Sequence, residues 1–262
     1  MKLGKKPAKL DPRTLTFKKY LPPRTLPPPP SNEKWIRKVA SWPMMLNDKL
    51  GDCTCATAGH MIEQWTAFAG NPFTPADQQI LDAYEAIGGY KPGDHTTDHG
   101  AHALDVLNYW RKTGIAGHKI LGYVSVNPKN RTEVMDSVVL FGNCFVGFQL
   151  PLSTETQTHW AVPKGDAKGS GARGSRGGHA IPIVGYNEDG LMGITWGHLI
   201  RITWGFWDEY CDEAFAVLSH DWISNVTKLS PSNFDLHTLH ADLRHIDAKR
   251  HAASTGANAS VQ

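Results

Sequence analysis

The sequence has little cysteine and no long apolar run. Four cysteines in 262 residues are too few for a disulfide framework, so we expect free thiols and a reducing compartment. The longest apolar stretch, residues 137–150, is shorter than the roughly 20 residues that span a bilayer. The first 15 residues are basic and no apolar segment follows them. We therefore expect no signal peptide, no membrane span and a cytoplasmic protein.

Motifs for nucleotides and metals are also missing. No GxxxxGK(S/T) or GxGxxG element occurs, so nucleotide binding has no support. His95, His99 and His102 lie near two aspartates, but nothing in their spacing completes a ligand set, and we interpret them as exposed polar residues. Cys53 and Cys55 are followed by no second ligand pair at the spacing of a zinc finger. We expect neither a metal nor another cofactor.

Charge is distributed unevenly along the chain. Residues 1–30 hold eight lysines and arginines against Asp11, a charge of +7, so the rest of this +2 chain carries −5. The same segment contains eight of the 17 prolines, which favour extended backbone. We predict that residues 1–34 form a basic, proline-rich extended arm that lies in solvent, on its own acidic body or on another chain. Because the body is acidic and contains no known nucleic-acid-binding motif, we do not expect nucleic-acid binding.

Periodicity divides the body into two parts. Apolar residues at three- and four-residue intervals predict a helix over residues 53–70, and further helices follow a Thr-Pro pair at position 74 and cover residues 100–112. From residue 131, aromatic and β-branched runs separated by turns predict a mostly antiparallel sheet. The glycine-rich residues 163–178 are typical of a loop.

These elements predict an α+β fold for one domain. Its bounds are residues 35–249, with a helical part over about 35–130 and a β part over about 131–220. An amphipathic helix is predicted over about 232–247, and residues 250–262 are predicted to be a tail.

Five segments, in this order, resemble a known family. They are LNDKLGDCTCATA at 46–58, DHGAHALDVLNYWRKTGI at 98–115, VVLFGNCFVGFQL at 138–150, GGHAIPIVGYNEDGL at 177–191 and ITWGHLIRITWGFWDEY at 194–210. Over about residues 46–220 the chain resembles the papain-like cysteine peptidase superfamily. The resemblance implies a papain-like α+β fold, with a helical left half and a mostly antiparallel β right half that meet at a cleft.

The resemblance also implies a catalytic cysteine–histidine pair. Cys53, at the start of the first helix, falls at the position of the nucleophile, and His179 falls at that of the general base. A helix N-terminus favours the thiolate, and a nearby imidazole completes the activation. Asn47 lies six residues before Cys53, where the family has a glutamine that helps bind the oxyanion. The backbone N–H of Cys53 would be the other donor.

The other cysteines are weaker candidates. Cys55 competes with Cys53 as nucleophile, but two positions along a helix rotate a side chain by about 200°, so only one thiol can face His179. The spacing from Asn47 favours Cys53. We interpret Cys144 and Cys211 as small core residues.

One part of the family pattern is not kept. The third member of the triad, an asparagine that orients the histidine, falls at Ile194, which has no side-chain hydrogen bond to offer. Thr195 could take this place if its hydroxyl turns inward, and Trp196 remains to shield the imidazole from water. Asp52, next to the nucleophile, would raise the pKa of the Cys53 thiol.

Two functions remain open at this point. The first is a papain-like cysteine peptidase or amidase, a thiol protease-like hydrolase of peptide or amide substrates through Cys53 and His179. The alternative is a catalytically degenerate papain-like structural protein, anchored through residues 1–30 to protein subunits of a large assembly such as a phage particle. The protein would then be part of a virus particle instead of a free cytoplasmic enzyme.

Overall fold

The structure is a computed structural model of the 262-residue chain. It describes residues 1–20, 27–163, 169–224, 227 and 229–232. The predicted helix over 232–247, beyond its first residue, and the predicted tail over 250–262 lie outside the described residues. Residues 164–168 of the predicted glycine-rich loop also lie outside them. No helix in the described part of the chain is both long and apolar enough to cross a bilayer.

Six helices occur in the described ranges, apart from short 3₁₀ turns. They are α1 (Phe17–Tyr20), α2 (Cys53–Ala69), α3 (Asp77–Gly88), α4 (Ala103–Lys112), α5 (Arg131–Phe141) and α6 (Trp204–Tyr210). The long α2 ends at Gly70, whose φ of 88° is a left-handed conformation that suits glycine. Nearly every residue of α2 is buried, so this helix is the centre of the helical half.

The start of α3 differs from the expected Thr-Pro cap. Thr74 uses its hydroxyl to donate a hydrogen bond to Glu63 on α2, at 2.9 Å. The cap position falls instead at Ala76, whose backbone N–H donates to the side chain of Gln79 at 2.9 Å. A tertiary contact to α2 thus takes the side chain that local sequence had assigned to the cap.

Seven described strands form one antiparallel sheet. They are β1 (Glu33–Lys34), β2 (Ile120–Val126), β3 (Cys144–Leu150), β4 (Gly177–Tyr186), β5 (Gly190–Thr195), β6 (His198–Thr203) and β7 (Cys211–Ser219). The order is β2-β7-β3-β4-β5-β6, and β1 pairs with β4. Strand β2 lies inside the part predicted to be helical, because its partner β7 is distant in sequence and local periodicity does not reveal the pairing. The predicted α+β class is confirmed.

Two apolar clusters meet at the sheet. One contains the sheet face that packs on α5 and α6, and the other surrounds α2, α3 and α4. Phe145 and Ala180 belong to the helical cluster although they lie on β3 and β4, so α2 packs directly on the middle of the sheet. Within this cluster Trp65 and Trp110 stack at 5.6 Å, both fully buried. Truncating either would cost about 3–5 kcal/mol.

The described parts of the N-terminal arm, residues 1–20 and 27–34, lie along the body of the chain. The arm is not extended throughout, since α1 interrupts it, and Phe17 is 2% exposed within the core. The backbone N–H of Ser125 donates to the carbonyl of Leu15 at 2.8 Å. Further on, the Tyr186 hydroxyl donates to the carbonyl of Pro30 at 2.9 Å. The arm therefore contributes core and hydrogen bonds that its charge and proline content did not predict.

Candidate active site

Cys53 is the first residue of α2 and lies against strand β4. The backbone N–H groups of Ala180, the residue after His179, and of Gly4 in the arm lie near its sulfur, and each lowers the pKa of the thiol. The residue is 1% exposed. Burial, with a smaller contribution from the neighbouring Asp52, raises the pKa of the thiol to about 11. The thiol is therefore protonated at neutral pH in this conformation.

Asp52 stands at the N-cap position of α2 but does not cap it. Its side chain makes no capping hydrogen bond and instead accepts one from Nδ2 of Asn47 at 3.0 Å. The residue is fully buried, and burial raises the pKa of its carboxyl group well above the usual range. The carboxyl group serves to hold the loop before α2.

Asn47 lies near Cys53, and both line a small cavity behind the site. Its amide nitrogen donates to the carbonyl of Leu50 at 3.1 Å as well as to Asp52. An amide nitrogen has two hydrogens, so both are used within the loop. In this conformation the Asn47 amide has no hydrogen left for an oxyanion.

His179 lies on β4 and is 1% exposed. Its Nε2 is 2.7 Å from the hydroxyl oxygen of Thr195, while Nδ1 has no hydrogen-bond partner among the described residues. The imidazole stacks on the Trp196 indole with centroids 4.4 Å apart. Burial, together with the charges of Arg176 and Lys5, lowers the pKa of His179 to about 3. The imidazole is neutral at physiological pH.

Thr195 and Trp196 reach the imidazole because of the turn between β5 and β6. Thr195 is the last residue of β5, and its hydroxyl is directed at His179. Trp196 and Gly197 both have positive φ, 46° and 75°, the combination of a two-residue hairpin turn. Ile194, at the position of the family's asparagine, is 1% exposed and presents only apolar atoms to the cavity behind the site.

The remaining cysteines lie in the core. Cys55 is fully buried in the cluster around α2, and burial raises the pKa of its thiol well above the ordinary value. Cys144 and Cys211 are also buried, and burial raises the pKa of each thiol. All four thiols of the chain are free.

Residues 2–6, here called the N-terminal segment, lie in the cleft over Cys53. The backbone N–H of Lys5 donates to the carbonyl of Gly178 at 3.1 Å. Ala101 accepts from the N–H of Lys6 at 3.0 Å and donates to the carbonyl of Gly4 at 2.9 Å. The segment is thus hydrogen-bonded to both walls of the cleft: to Ala101, just before α4, and to Gly178 on β4.

The far end of the segment is attached beside the imidazole. The N–H of Lys2 donates to the carbonyl of Asn47 at 3.0 Å, and the Trp196 indole N–H donates to the carbonyl of Lys2 at 3.1 Å. A Cβ on Gly4 would overlap the carbonyl of Gly51, so only glycine fits there. Sequence reasoning left open where the arm lies. The one local signal was Gly4 itself, the first glycine of an otherwise bulky basic stretch.

Comparison with solved structures identifies the architecture. The chain superposes on xylellain, a cysteine protease from Xylella fastidiosa, with a TM-score of 0.60 and 13% identity, over 83% of this chain and 96% of that one. A cysteine protease of Carica candamarcensis superposes with a TM-score of 0.53 and 16% identity, over 72% of this chain and 99% of that one. A ragweed pollen cysteine protease in its proform superposes with a TM-score of 0.54 and 16% identity, over 82% of this chain and 71% of that one.

No protein-family model and no curated protein sequence matches this chain. At identities of 13–16% the structural likeness establishes the fold. The chain has the papain-like fold of cysteine proteases, as the five sequence segments implied.

Proposed function

We propose that the protein is a cysteine peptidase or amidase with Cys53 as nucleophile and His179 as general base. The observation that carries the proposal is the arrangement of the imidazole. Nε2 is hydrogen-bonded to Thr195, whereas Nδ1 has no partner among the described residues and is available as a base. The Cys53 sulfur lies near the backbone N–H of Ala180, the residue after His179. The papain-like fold supports the same assignment.

The reaction divides amide cleavage into two steps. Nδ1 of His179 takes the thiol proton while the sulfur attacks the carbonyl carbon. The C–N bond then breaks, and His179 returns the proton to the leaving amine. A water molecule, deprotonated by His179, hydrolyses the resulting thioester and regenerates the thiol. The backbone N–H of Cys53, at the N-terminus of α2, stabilises the oxyanion.

Thr195 takes the place of the missing asparagine as the positioning residue. Its hydroxyl oxygen accepts the Nε2 hydrogen and so holds the tautomer that leaves Nδ1 free as a base. Asn47 becomes an oxyanion donor when its amide turns away from Asp52. Both roles are weaker than in the family pattern, so we expect a slow enzyme.

The covered form of the site is latent. With the N-terminal segment seated, the pKa of Cys53 is raised to about 11 and that of His179 is lowered to about 3, so both groups are neutral. The segment is not presented for cleavage, because the N–H of Gly4 lies near the sulfur and its carbonyl accepts a hydrogen bond from Ala101 instead of facing the thiol. Catalysis therefore requires the segment to leave the cleft.

The second candidate function is a catalytically inactive papain-like protein built into a large assembly such as a phage particle. Ile194, in the place of the orienting asparagine, and the sealed thiol favour it. In that case the exposed basic residues of the arm, such as Lys9, contact neighbouring subunits.

Fluorogenic peptide hydrolysis by full-length variants tests the two candidates. A Gly4→Ala change prevents the segment from seating, and we expect turnover that falls by at least about 10³-fold on adding Cys53→Ala or His179→Ala. Thr195→Val should lower kcat by about 10- to 100-fold, with Thr195→Ser restoring most of it. Cys55→Ala is the matched control and should keep the activity. Absence of turnover in the Gly4→Ala variant, with Cys53 no more reactive than Cys144, would favour the assembly protein.

A further inference from the structure

Lys5 is a buried cation at the centre of the N-terminal segment. Its side chain is fully inaccessible to solvent, and Nζ lies 2.8 Å from Asp212 Oδ2 and 2.9 Å from Glu213 Oε1. Nζ also donates to the carbonyl of Lys6 at 3.1 Å. An ammonium group has three hydrogens, and the pocket offers two carboxylates to them while the segment's own Lys6 carbonyl accepts a hydrogen bond. The pocket therefore matches the ammonium of lysine and not the planar five-donor guanidinium of arginine.

A β-bulge brings the two carboxylates together. Successive side chains of a regular strand face opposite sides of the sheet, so Asp212 and Glu213 would normally diverge. In the pairing of β3 with β7, Phe148 faces Cys211 and Gly147 faces Glu213, which leaves Asp212 as an extra residue. The bulge re-aims Asp212, and both carboxylates reach the same ammonium.

The neighbouring strand β3 leaves room for a long aliphatic stem at Gly147, the cross-strand partner of Glu213. A Cβ at Gly147 would overlap Cε of Lys5, so the absence of a side chain there makes the channel. On the same strand, Gln149 Nε2 donates to Asp212 Oδ2 at 2.7 Å and fixes the carboxylate. We call Gly147, Gln149, Asp212 and Glu213 the acidic pocket.

The acidic pocket opens beside the reacting groups. Lys5 follows Gly4, whose N–H lies near the Cys53 sulfur, and its own N–H donates a hydrogen bond to the carbonyl of Gly178, the residue before His179. A side chain in the pocket is thus attached to backbone that passes over the thiol. Two carboxylates buried at 12% and 7% exposure are costly without a cation. When the segment leaves, another cationic side chain can neutralise the two carboxylates.

We propose that the acidic pocket is the specificity pocket of the enzyme, and that it selects substrates with a lysine side chain next to the scissile amide. The inference rests on the proposed function and deepens it by naming the substrate class. In the covered form Lys5 occupies the position of that substrate lysine. The pocket thus serves both the segment and the substrate.

Peptide binding to a full-length, catalytically inactive variant tests the proposal. In Gly4→Ala/Cys53→Ser the segment cannot seat and no hydrolysis follows. Fluorescent tetrapeptides that differ only in lysine or norleucine are compared by anisotropy. At one position of the peptide, we expect lysine to give at least tenfold tighter binding than norleucine. Adding Asp212→Asn and Glu213→Gln should remove this preference, whereas the exposed Glu188→Gln should leave it unchanged.

A second measurement avoids any dependence on the peptide chosen. In a Lys5→Gly variant, n-butylammonium should raise the melting temperature, whereas 1-butanol at the same concentration should not. Equal stabilisation by both molecules, or equal binding of lysine and norleucine peptides, would overturn the proposal. So would a lack of binding by any peptide.

Failure of the inference and failure of the proposed function are distinguishable. If the Gly4→Ala variant hydrolyses peptides through Cys53 without a preference for lysine, the specificity assignment is wrong and the enzyme stands. If the variant binds lysine peptides but no variant with intact Cys53 turns them over, the pocket binds lysine and the hydrolase assignment is wrong.

Discussion

Lys5 and Lys9 belong to the same basic arm, and each lies within 2.8 Å of a carboxylate oxygen. Their surroundings differ. Lys5 is completely buried against Asp212 and Glu213, whereas the side chain of Lys9 is 50% exposed and that of its partner Asp105 is 37% exposed. A buried charge that loses its partner is strongly destabilising, while an exposed pair is screened by water. Contact distance alone therefore does not rank the two pairs, and burial decides which one holds the arm.

The largest effect is expected from Lys5→Met. The change leaves two buried carboxylates without their cation, so the free energy of unfolding should fall by about 3–5 kcal/mol. Urea denaturation monitored by tryptophan fluorescence measures the difference. A loss below 1 kcal/mol would mean that the acidic pocket tolerates the loss of its cation and that the backbone hydrogen bonds alone hold the segment.

A large effect is also expected from Gly4→Ala, which acts on the backbone of the segment. The added Cβ would overlap the carbonyl of Gly51, so the segment should leave the cleft. Labelling of Cys53 by iodoacetamide at neutral pH should accelerate about 100-fold, which corresponds to roughly 3 kcal/mol of lost segment binding. Mass spectrometry locates the label, and Cys144 is the internal reference.

The matched control for this change is Gly122→Ala on β2. A Cβ at Gly122 meets no atom within 4 Å, so the labelling rate should stay at that of the unmodified chain. Equal rates in the two variants would contradict the idea that the N-terminal segment protects the thiol.

An intermediate effect is expected from pH. The pKa of His179 is lowered from its ordinary 6.5 to about 3 by burial. Above pH 6.5 the imidazole is neutral in both states. Below it the unfolded chain takes up a proton that the folded chain does not, so stability is lost as pH falls from 6.5 towards 3.

His179→Gln isolates this contribution. Below about pH 6 the unmodified protein should lose about 1.4 kcal/mol more per pH unit than the variant. Urea unfolding at pH 7, 6, 5 and 4 measures the two slopes. Parallel curves would mean that the pKa of His179 in the folded protein is close to its ordinary value of 6.5.

The smallest effect is expected from Lys9→Met. Because this ion pair is exposed, the free energy of unfolding should change by about 1 kcal/mol or less, and the labelling rate of Cys53 should stay the same. A loss comparable to that of Lys5→Met would show that the outer arm, and not the buried lysine, holds the segment in place.

Sequence reasoning succeeded where a residue's environment is set by nearby residues. The spacing of apolar residues located α2, with Cys53 as its first residue, and the aromatic and β-branched runs after residue 131 located the part of the chain that holds β3 to β7. The resemblance of the five segments predicted the papain-like fold, which the solved structures confirm. Sequence reasoning considered the hydroxyl of Thr195 only as a substitute for the orienting asparagine. The direction of this hydroxyl depends on the turn at Trp196.

Reasoning from sequence missed features that depend on pairing between distant residues. Strand β2 was assigned to the helical part because its partner β7 lies about 90 residues further on, and local periodicity carries no record of a distant partner. The bulge at Asp212 depends on the register of β7 against β3. Neither residue 212 nor residue 213 stood out in the sequence.

Composition and periodicity by themselves determined that the chain has a helical part, a sheet and a basic arm, because burial patterns and net charge are properties of short stretches. The tertiary structure decided where the arm goes. Lys5 lies more than 170 residues before Gly178 and more than 200 before Asp212, and Gly4 contacts Gly51 and Ala101. Their place depends on a cleft that exists only after α2 has packed on β4 and β7 has bulged. Steric fit at Gly4 and charge neutralisation at Lys5 then select this segment to cover Cys53.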